Sequence, residues 1–368
     1  MSRHTIARIF FVCLAFSLGI PVIGRTQPRV DNPARALAKN AGRIVKLEEI
    51  LRIRDDGEKA IFKVPRNLVC GSDGSLYFMD YGDGPRLYRY GPEGKLISKL
   101  LRTGQGPGEA QNASNFLVTG DRIRVLAWIP PKIMDLGMDG RYLRETRVEE
   151  DTHGLWFLGM AEGRIYGIRD ELFSSAAFRS SGAFTAFSVP NSVYEISPDF
   201  RTWRKLYEFP VRMMVKRGNG FRLDPIDATI GESTLYLLHT AEYQVVAFDL
   251  RAGRVKHVVS RAYARVRSKP QKSSDPDPDP ETRGLDFPDE TYVWDAHKIH
   301  AAAGRLWVFT SVAKADGDDQ QVDLFDEAGR FVDSVILRFP PGNRDHRARW
   351  TLLTDDGYFI IPEQEEDG

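Results

Sequence analysis

Cysteine is nearly absent, with 2 in 368 residues, so a disulfide framework is excluded. No charge of one sign dominates: 51 Lys+Arg face 51 Asp+Glu. The chain therefore has no global field to draw it to nucleic acid or to an anionic membrane surface. The one long apolar run, Ile9 to Ile23, is broken by Ser17, Gly19 and Pro21 and falls short of the ~20 residues that cross a bilayer as a helix. His-Glu-x-x-His, Gly-x-Ser-x-Gly and the Lys-Ser/Thr ending of a phosphate loop are missing. With them go the usual sequence signatures of zinc peptidases, serine hydrolases and nucleotide-binding loops. What remains is 42% hydrophobic residues, 11% of the chain aromatic, with 32 Gly and 21 Pro. That suffices for an ordered core punctuated by many turns.

The amino terminus reads as an address. Arg3, His4 and Arg8 precede the apolar run, and Val22-Ile23-Gly24 offers a cleavage point after Gly24. This order is that of a secretory signal peptide over residues 1–24, with an uncleaved anchor as the alternative. Cys13 follows the bulky Phe10-Phe11-Val12, which argues against lipidation, and cleavage would leave no stable transmembrane anchor. An extracytoplasmic location is expected, periplasmic or secreted. Residues 25–42, rich in Ala, Pro and Asn, read as a spacer.

One phrase recurs along the rest. A turn with Gly or Asp is followed by an alternating or aliphatic strand, at Ser72–Phe78, Gly120–Val125, Glu162–Tyr166, Gly231–Tyr236, Ala303–Val308 and Asp355–Ile360. A second turn follows in four copies: Pro92–Lys95, Met138–Arg141, Arg251–Arg254 and Glu327–Arg330. Two hairpin turns at a steady separation describe a four-stranded antiparallel meander. The early repeat intervals lie near the ~40–45 residues of a propeller blade, and the longer ones imply insertions near 173–189 and 265–290. The expected fold is all-β: a six-bladed β-propeller of four-stranded antiparallel blades over 43–368. A strand within 43–54 is expected to close the ring by pairing into the last blade. A β-sandwich with a second β domain is the competitor, and the repetition argues against it.

The stretch Leu76–Glu109 carries Asp80 at a strand end, Arg86-Leu87-Tyr88, Pro92-Glu93-Gly94-Lys95 and Gly104-Gln105-Gly106-Pro107-Gly108. It resembles the NHL repeat, and the whole chain is similar to secreted bacterial six-bladed, TolB-like propellers. Gly104–Glu109 reads as a tight crossing between blades rather than a phosphate loop. Asp80 and Arg86 are expected to form a charge-assisted bond across their hairpin.

Propellers place small ligands at one mouth of the central channel. The polar and aromatic residues near the starts of the inner strands are therefore the binding candidates: Asn67, Asn115, Asp224, Asp227, Trp294, Asp295 and His297. Carboxylate and amide oxygens converging there would suit Ca²⁺, against the plainer expectation of strand-end hydrogen bonds. Asp275, Asp277 and Asp279 have calcium-loop spacing, but intervening prolines favour extended chain. His297 and His300, three apart on a strand, are expected on opposite faces.

No catalytic residue is assigned and no cofactor is expected, calcium entering only with the alternative reading below. The leading expectation is an exported, non-catalytic binding or scaffold module for a protein or glycan partner. The alternative is a calcium-dependent hydrolase or lyase, lactonase-like, working at the channel mouth. Nucleic acid is not an expected partner, since the neutral charge and the export signal both oppose it.

Overall fold

The computed structural model describes residues 27–54, 62–128, 131–150, 152, 154–171, 184–216, 219–222, 224–268, 291–313, 319–340, 350–354 and 357–361. The signal segment 1–24, the Asp275–Asp279 run and much of both expected insertions lie outside these residues. All regular structure in the described residues is β, and no helix among them is long and apolar enough to cross a membrane.

Two short strands come first, β1 (Arg29–Asn32) and β2 (Arg43–Lys46). The first blade is β3 (Pro65–Cys70), β4 (Leu76–Asp80), β5 (Arg86–Tyr90) and β6 (Leu96–Lys99). The second is β7 (Ala113–Thr119), β8 (Arg122–Trp128), β9 (Pro131–Gly137) and β10 (Tyr142–Arg147). The third is β11 (Leu155–Ala161), β12 (Arg164–Asp170), β13 (Phe184–Ile196) and β14 (Trp203–Lys216), with β15 (Asn219–Arg222) added to the end of β14. The fourth is β16 (Asp227–Ile230), β17 (Thr234–Leu238), β18 (Gln244–Asp249) and β19 (Arg254–Arg261). The fifth is β20 (Ala296–Ala302), β21 (Arg305–Ala313), β22 (Asp319–Phe325) and β23 (Phe331–Arg338). A hairpin of β24 (Trp350–Leu353) and β25 (Tyr358–Ile361) forms a separate two-stranded sheet.

Each blade is a meander of consecutive antiparallel strands, and several of its hairpin turns carry a left-handed residue. Gly94 and Gly140 supply that conformation between third and fourth strands, with φ of 78° and 83°. In the third blade Phe200 takes it instead, at φ 60°.

The blades stack as a propeller because their strands are apolar on both faces. In β4 every side chain is buried. Tyr77 and Met79 pack toward the second blade, while Leu76 and Phe78 pack toward the hairpin β24–β25. The apolar core is thus divided into seams between neighbouring sheets, and each sheet buries its two faces only against its neighbours. The inner strands β3, β7, β11, β16, β20 and β24 touch in that order and return to β3.

Five blades are complete, not the six expected. All six recurring turns do form hairpins between first and second strands. After the last one, however, the described residues supply two strands and no third or fourth. The hairpin still fills the interval between the fifth and first blades. Tyr358 and Ile360 face the fifth blade, and Phe359 and Ile361 face the first.

The amino-terminal strand does not complete that last sheet. β2 lies parallel on β23, with Arg43 opposite Val335, and gives the fifth blade an additional outer strand. β1 does the same on β19 of the fourth blade, from within the stretch expected to be a spacer. Between them Asn32 is buried, donating from Nδ2 to Ser260 O (3.0 Å) and Gly329 O (2.8 Å) and accepting from the Phe331 amide (2.8 Å). Further along, Leu47 packs on the fifth-blade seam and Leu51 and Ile53 on the first-blade seam. Residues 27–54 therefore form a strap around the outside of the fourth and fifth blades and over the hairpin. The fixed direction of β23 and the parallel register draw the strap there.

Two local expectations also change. Arg86 lies 3.5 Å from Asp83 rather than bonding Asp80. The buried Asp80 instead accepts the Lys63 and Val64 amides at 2.9 and 2.6 Å. His297 and His300 do not point to opposite faces. A bulge between Ala296 and Lys298 resets the alternation, and both rings lie near Phe309, at 6.4 and 5.6 Å.

Candidate functional site

Strand direction alternates along each meander, so the two faces of the ring carry different connections. One face holds the turns between first and second strands and between third and fourth, all short, the longest being 197–202. The other receives the connections between second and third strands and between blades. These include 100–112, 171–183, 262–295 and 339–349. The inner strands begin on this connection face, which places the channel mouth there.

Asn67 lies at a bulge in β3 and has φ 57°. Its Nδ2 donates to Tyr81 Oη (3.1 Å) and Ser114 O (3.0 Å), and the Tyr81 hydroxyl donates to Ser114 O (2.7 Å). Burial pushes the Tyr81 phenol far above its ordinary range. Together these side chains fasten the first blade to the second. Asn115, at a matching bulge in β7, accepts the Phe116 amide on its own Oδ1 (2.7 Å).

Asp227 and Thr229, two apart on β16, present their side chains to β20. Asp227 Oδ2 accepts the Ile299 amide (2.6 Å) and Thr229 Oγ1 accepts the Ala301 amide (3.2 Å). The matching period of two on both strands makes a side-chain ladder between the blades. Lys298 Nζ lies 3.5 Å from Asp227 Oδ1. Burial raises the Asp227 carboxyl, and the Lys298 ammonium opposes that rise. Replacing Asp227 by Ala is expected to cost about 2–3 kcal/mol in urea unfolding, because a buried amide loses its acceptor. Asp227→Asn, which keeps an acceptor, is expected to cost less than about 1 kcal/mol.

Asp295 is buried. It accepts the Tyr243 amide (3.1 Å) and Arg265 Nε (2.9 Å), and burial raises its carboxyl against the pull of Arg265. Arg265 also stacks on Tyr292, 4.8 Å from the ring centroid. Asp224 binds the amide of Arg212 (3.1 Å) and pairs with its guanidinium (3.3 Å). Trp294 is half-buried beside Asp295, and His297 is half-buried against Phe309.

The structure places these side chains at joints around the ring. Asn67 serves the first joint, Asp227 and Asp295 the joint between fourth and fifth blades, and Asp224 holds β14 at Arg212. They do not meet as one constellation. Among the described residues no group of three or more His, Cys, Asp or Glu is placed to hold a metal ion. Sequence reasoning missed Tyr81, Thr229, Lys298, Tyr243 and Arg265. The period-two pair Asp227-x-Thr229 at a strand start was the available signal for the inter-blade ladder.

The connection face also bears a protrusion. β12 pairs with β13 only as far as Asp170 opposite Asn191. Beyond that point β13 and β14 continue together, from Pro190 opposite Pro210 to Phe184 opposite Lys216. Neither proline can donate to the ladder, which marks the place where the arm leaves the blade. An open hollow of about 170 Å³ lies at its base, lined by Ser188, Pro190, Glu208, Phe209 and Pro210. A second, of about 510 Å³, is lined by Pro131, Arg147, Val148 and Glu149.

No family model matches the sequence, so the NHL resemblance has no counterpart there, and no curated protein matches it. Several solved structures are similar at low identity. One is a Bacteroides fragilis protein provisionally described as exported, at 11% identity and TM-score 0.44, covering 80% of this chain and 79% of that one. A member of the DUF4221 family from Bacteroides vulgatus aligns at 7% identity and TM-score 0.44, over 76% and 83% of the two chains. A β-propeller domain from Myceliophteria thermophila aligns at 8% identity and TM-score 0.38, over 71% and 65%.

Proposed function

We propose that the protein is an exported, non-catalytic recognition module that holds a protein or glycan partner on its connection face. The observation that carries this reading is the inequality of the two faces. One has only short turns, and the other collects every long connection together with the β13–β14 arm. Rigid scaffolds that present variable segments on one side are built for recognition. The mouth residues support binding over reaction, because the polar groups of Asn67, Asp227 and Asp295 are engaged in holding blades together. Export is supported by the basic, apolar and small-residue order of residues 1–24.

The test shortens the arm. Short Gly-Ser links joining Glu171 to Ser188 and Met213 to Asp224 remove the outer part of the arm and keep the buried Val189, Val211 and Met213 of the blade seam. Full-length protein and the variant are compared on a glycan array and on an array of purified exported-protein ectodomains. Binding by the full-length chain that falls at least about 100-fold in the variant, with an unchanged melting curve, is the expected result. Equal binding by both would place recognition elsewhere. Robust turnover of ester, lactone or glycoside substrates, with one calcium bound per chain, would overturn the reading in favour of a hydrolase or lyase.

A further inference from the structure

We propose that the hairpin β24–β25 is an acid-released latch, which leaves its slot between the fifth and first blades as a unit and opens the channel sideways while the five complete blades stay folded. Among the described residues the hairpin is the one sheet of the ring with two strands, and its backbone ladder joins it to no other described sheet. It is held by its faces. Tyr358 stacks on Phe309 at 5.5 Å and meets Phe339 at 5.9 Å, and Phe359 and Ile361 enter the first-blade seam. The polar tie to the fifth blade runs from His300 Nε2 to Thr351 Oγ1, at 3.1 Å.

That histidine is buried in a setting hostile to charge. Phe309 of β21 and Tyr358 of β25 cover its ring at 5.6 and 6.1 Å. From its own strand Lys298 adds a like charge, and β24 offers only the neutral Thr351. β16 contributes Asp227, which is already engaged with Lys298. The β17 segment packed behind, Thr234–Leu238, carries no charged residue. Burial first, and Lys298 second, push the His300 imidazole down to about 3. Its docked form is neutral through mild acid, whereas a ring freed into water titrates near 6.5.

The sign follows from proton linkage. The open state binds more protons than the docked state between about pH 6.5 and 3, so docking is complete above that window and weakens as pH falls through it. Between pH 7.5 and 5.0 the opening equilibrium is expected to rise about 30-fold.

Site-resolved hydrogen exchange on the full-length protein tests this, with rates divided by the intrinsic rate at each pH. The expected result is an increase of about 30-fold in opening at residues 351–353 and 358–361, with Leu126 and Met134 of the second blade unchanged. His300→Gln keeps a polar partner for Thr351 without titrating, and is expected to flatten the pH dependence to less than about twofold. An equal rise in every blade, no rise at the hairpin, or a rise that persists in His300→Gln would overturn the proposal. The wild-type chain gives an independent reading by NMR. A His300 ring that titrates near its ordinary value while the hairpin remains protected would also overturn it.

Discussion

A chain shortened to begin at Leu47 is expected to melt about 10 °C below the full-length protein. It loses both outer strands, β1 and β2, and with them the buried Asn32 and its three bonds across the fourth and fifth blades. Each such bond contributes about 1 kcal/mol net, and orphaning the buried Phe331 amide adds to the cost. The Leu37 and Ala38 amides also leave Phe331 O and Val332 O. The exposed Arg43–Asp333 pair contributes little. A loss of roughly 4–5 kcal/mol corresponds to about 10 °C in a domain of this class, where each kcal/mol shifts the midpoint by about 2–4 °C. Calorimetry reads the shift, and hydrogen exchange should place the weakening at β19 and β23. A melting curve that does not move would show that the strap is not part of the closure.

The second large effect is expected at Asp323. Its carboxylate is fully buried in β22. It accepts the Tyr243 hydroxyl (2.8 Å) and Gln321 Nε2 (3.1 Å), and it is paired with Arg261 of the neighbouring blade. The Arg261 guanidinium lies over Phe331 at 4.5 Å and donates to Ala34 O of the strap at 3.0 Å. Asp323→Ala leaves that cation buried without its carboxylate and the Tyr243 hydroxyl without its acceptor, at an expected cost of about 3–5 kcal/mol. The double variant Asp323→Ala/Arg261→Met is expected to recover part of this, because no unpaired charge remains. Urea denaturation of the three variants gives the coupling. A double variant whose loss equals the sum of its two single variants would show that the pair acts as two independent contacts.

The turns were the legible part of this fold. Gly74, Gly163 and Gly304 have a local cause, the left-handed backbone of a hairpin, and the turn phrase that contains them located all six first turns. Gly94, Gly140, Gly253 and Gly329 located four of the five second turns. The fifth, 197–202, escaped because Phe200 takes the left-handed position without announcing it. Blade number was not legible in the same way, because a turn reports the two strands it joins and nothing about a third. Neither was the strap: Arg29–Asn32 has no apolar alternation, and its pairing depends on the exposed edge of β19, more than two hundred residues away. The mouth residues were placed near the inner strand starts for a sound topological reason. Their partners, Ser114 O, the Ile299 amide and Arg265, belong to other strands and connections and are visible only after folding.

The parallel course of β1 along β19 has a mechanical consequence. A tug on the chain ahead of Arg29, directed along the strand, loads the bonds from Arg29 to Asn32 together. The same tug directed outward from the ring breaks them one after another. The molecule should therefore resist a pull along the line of β1 and yield readily to unpeeling from its rim.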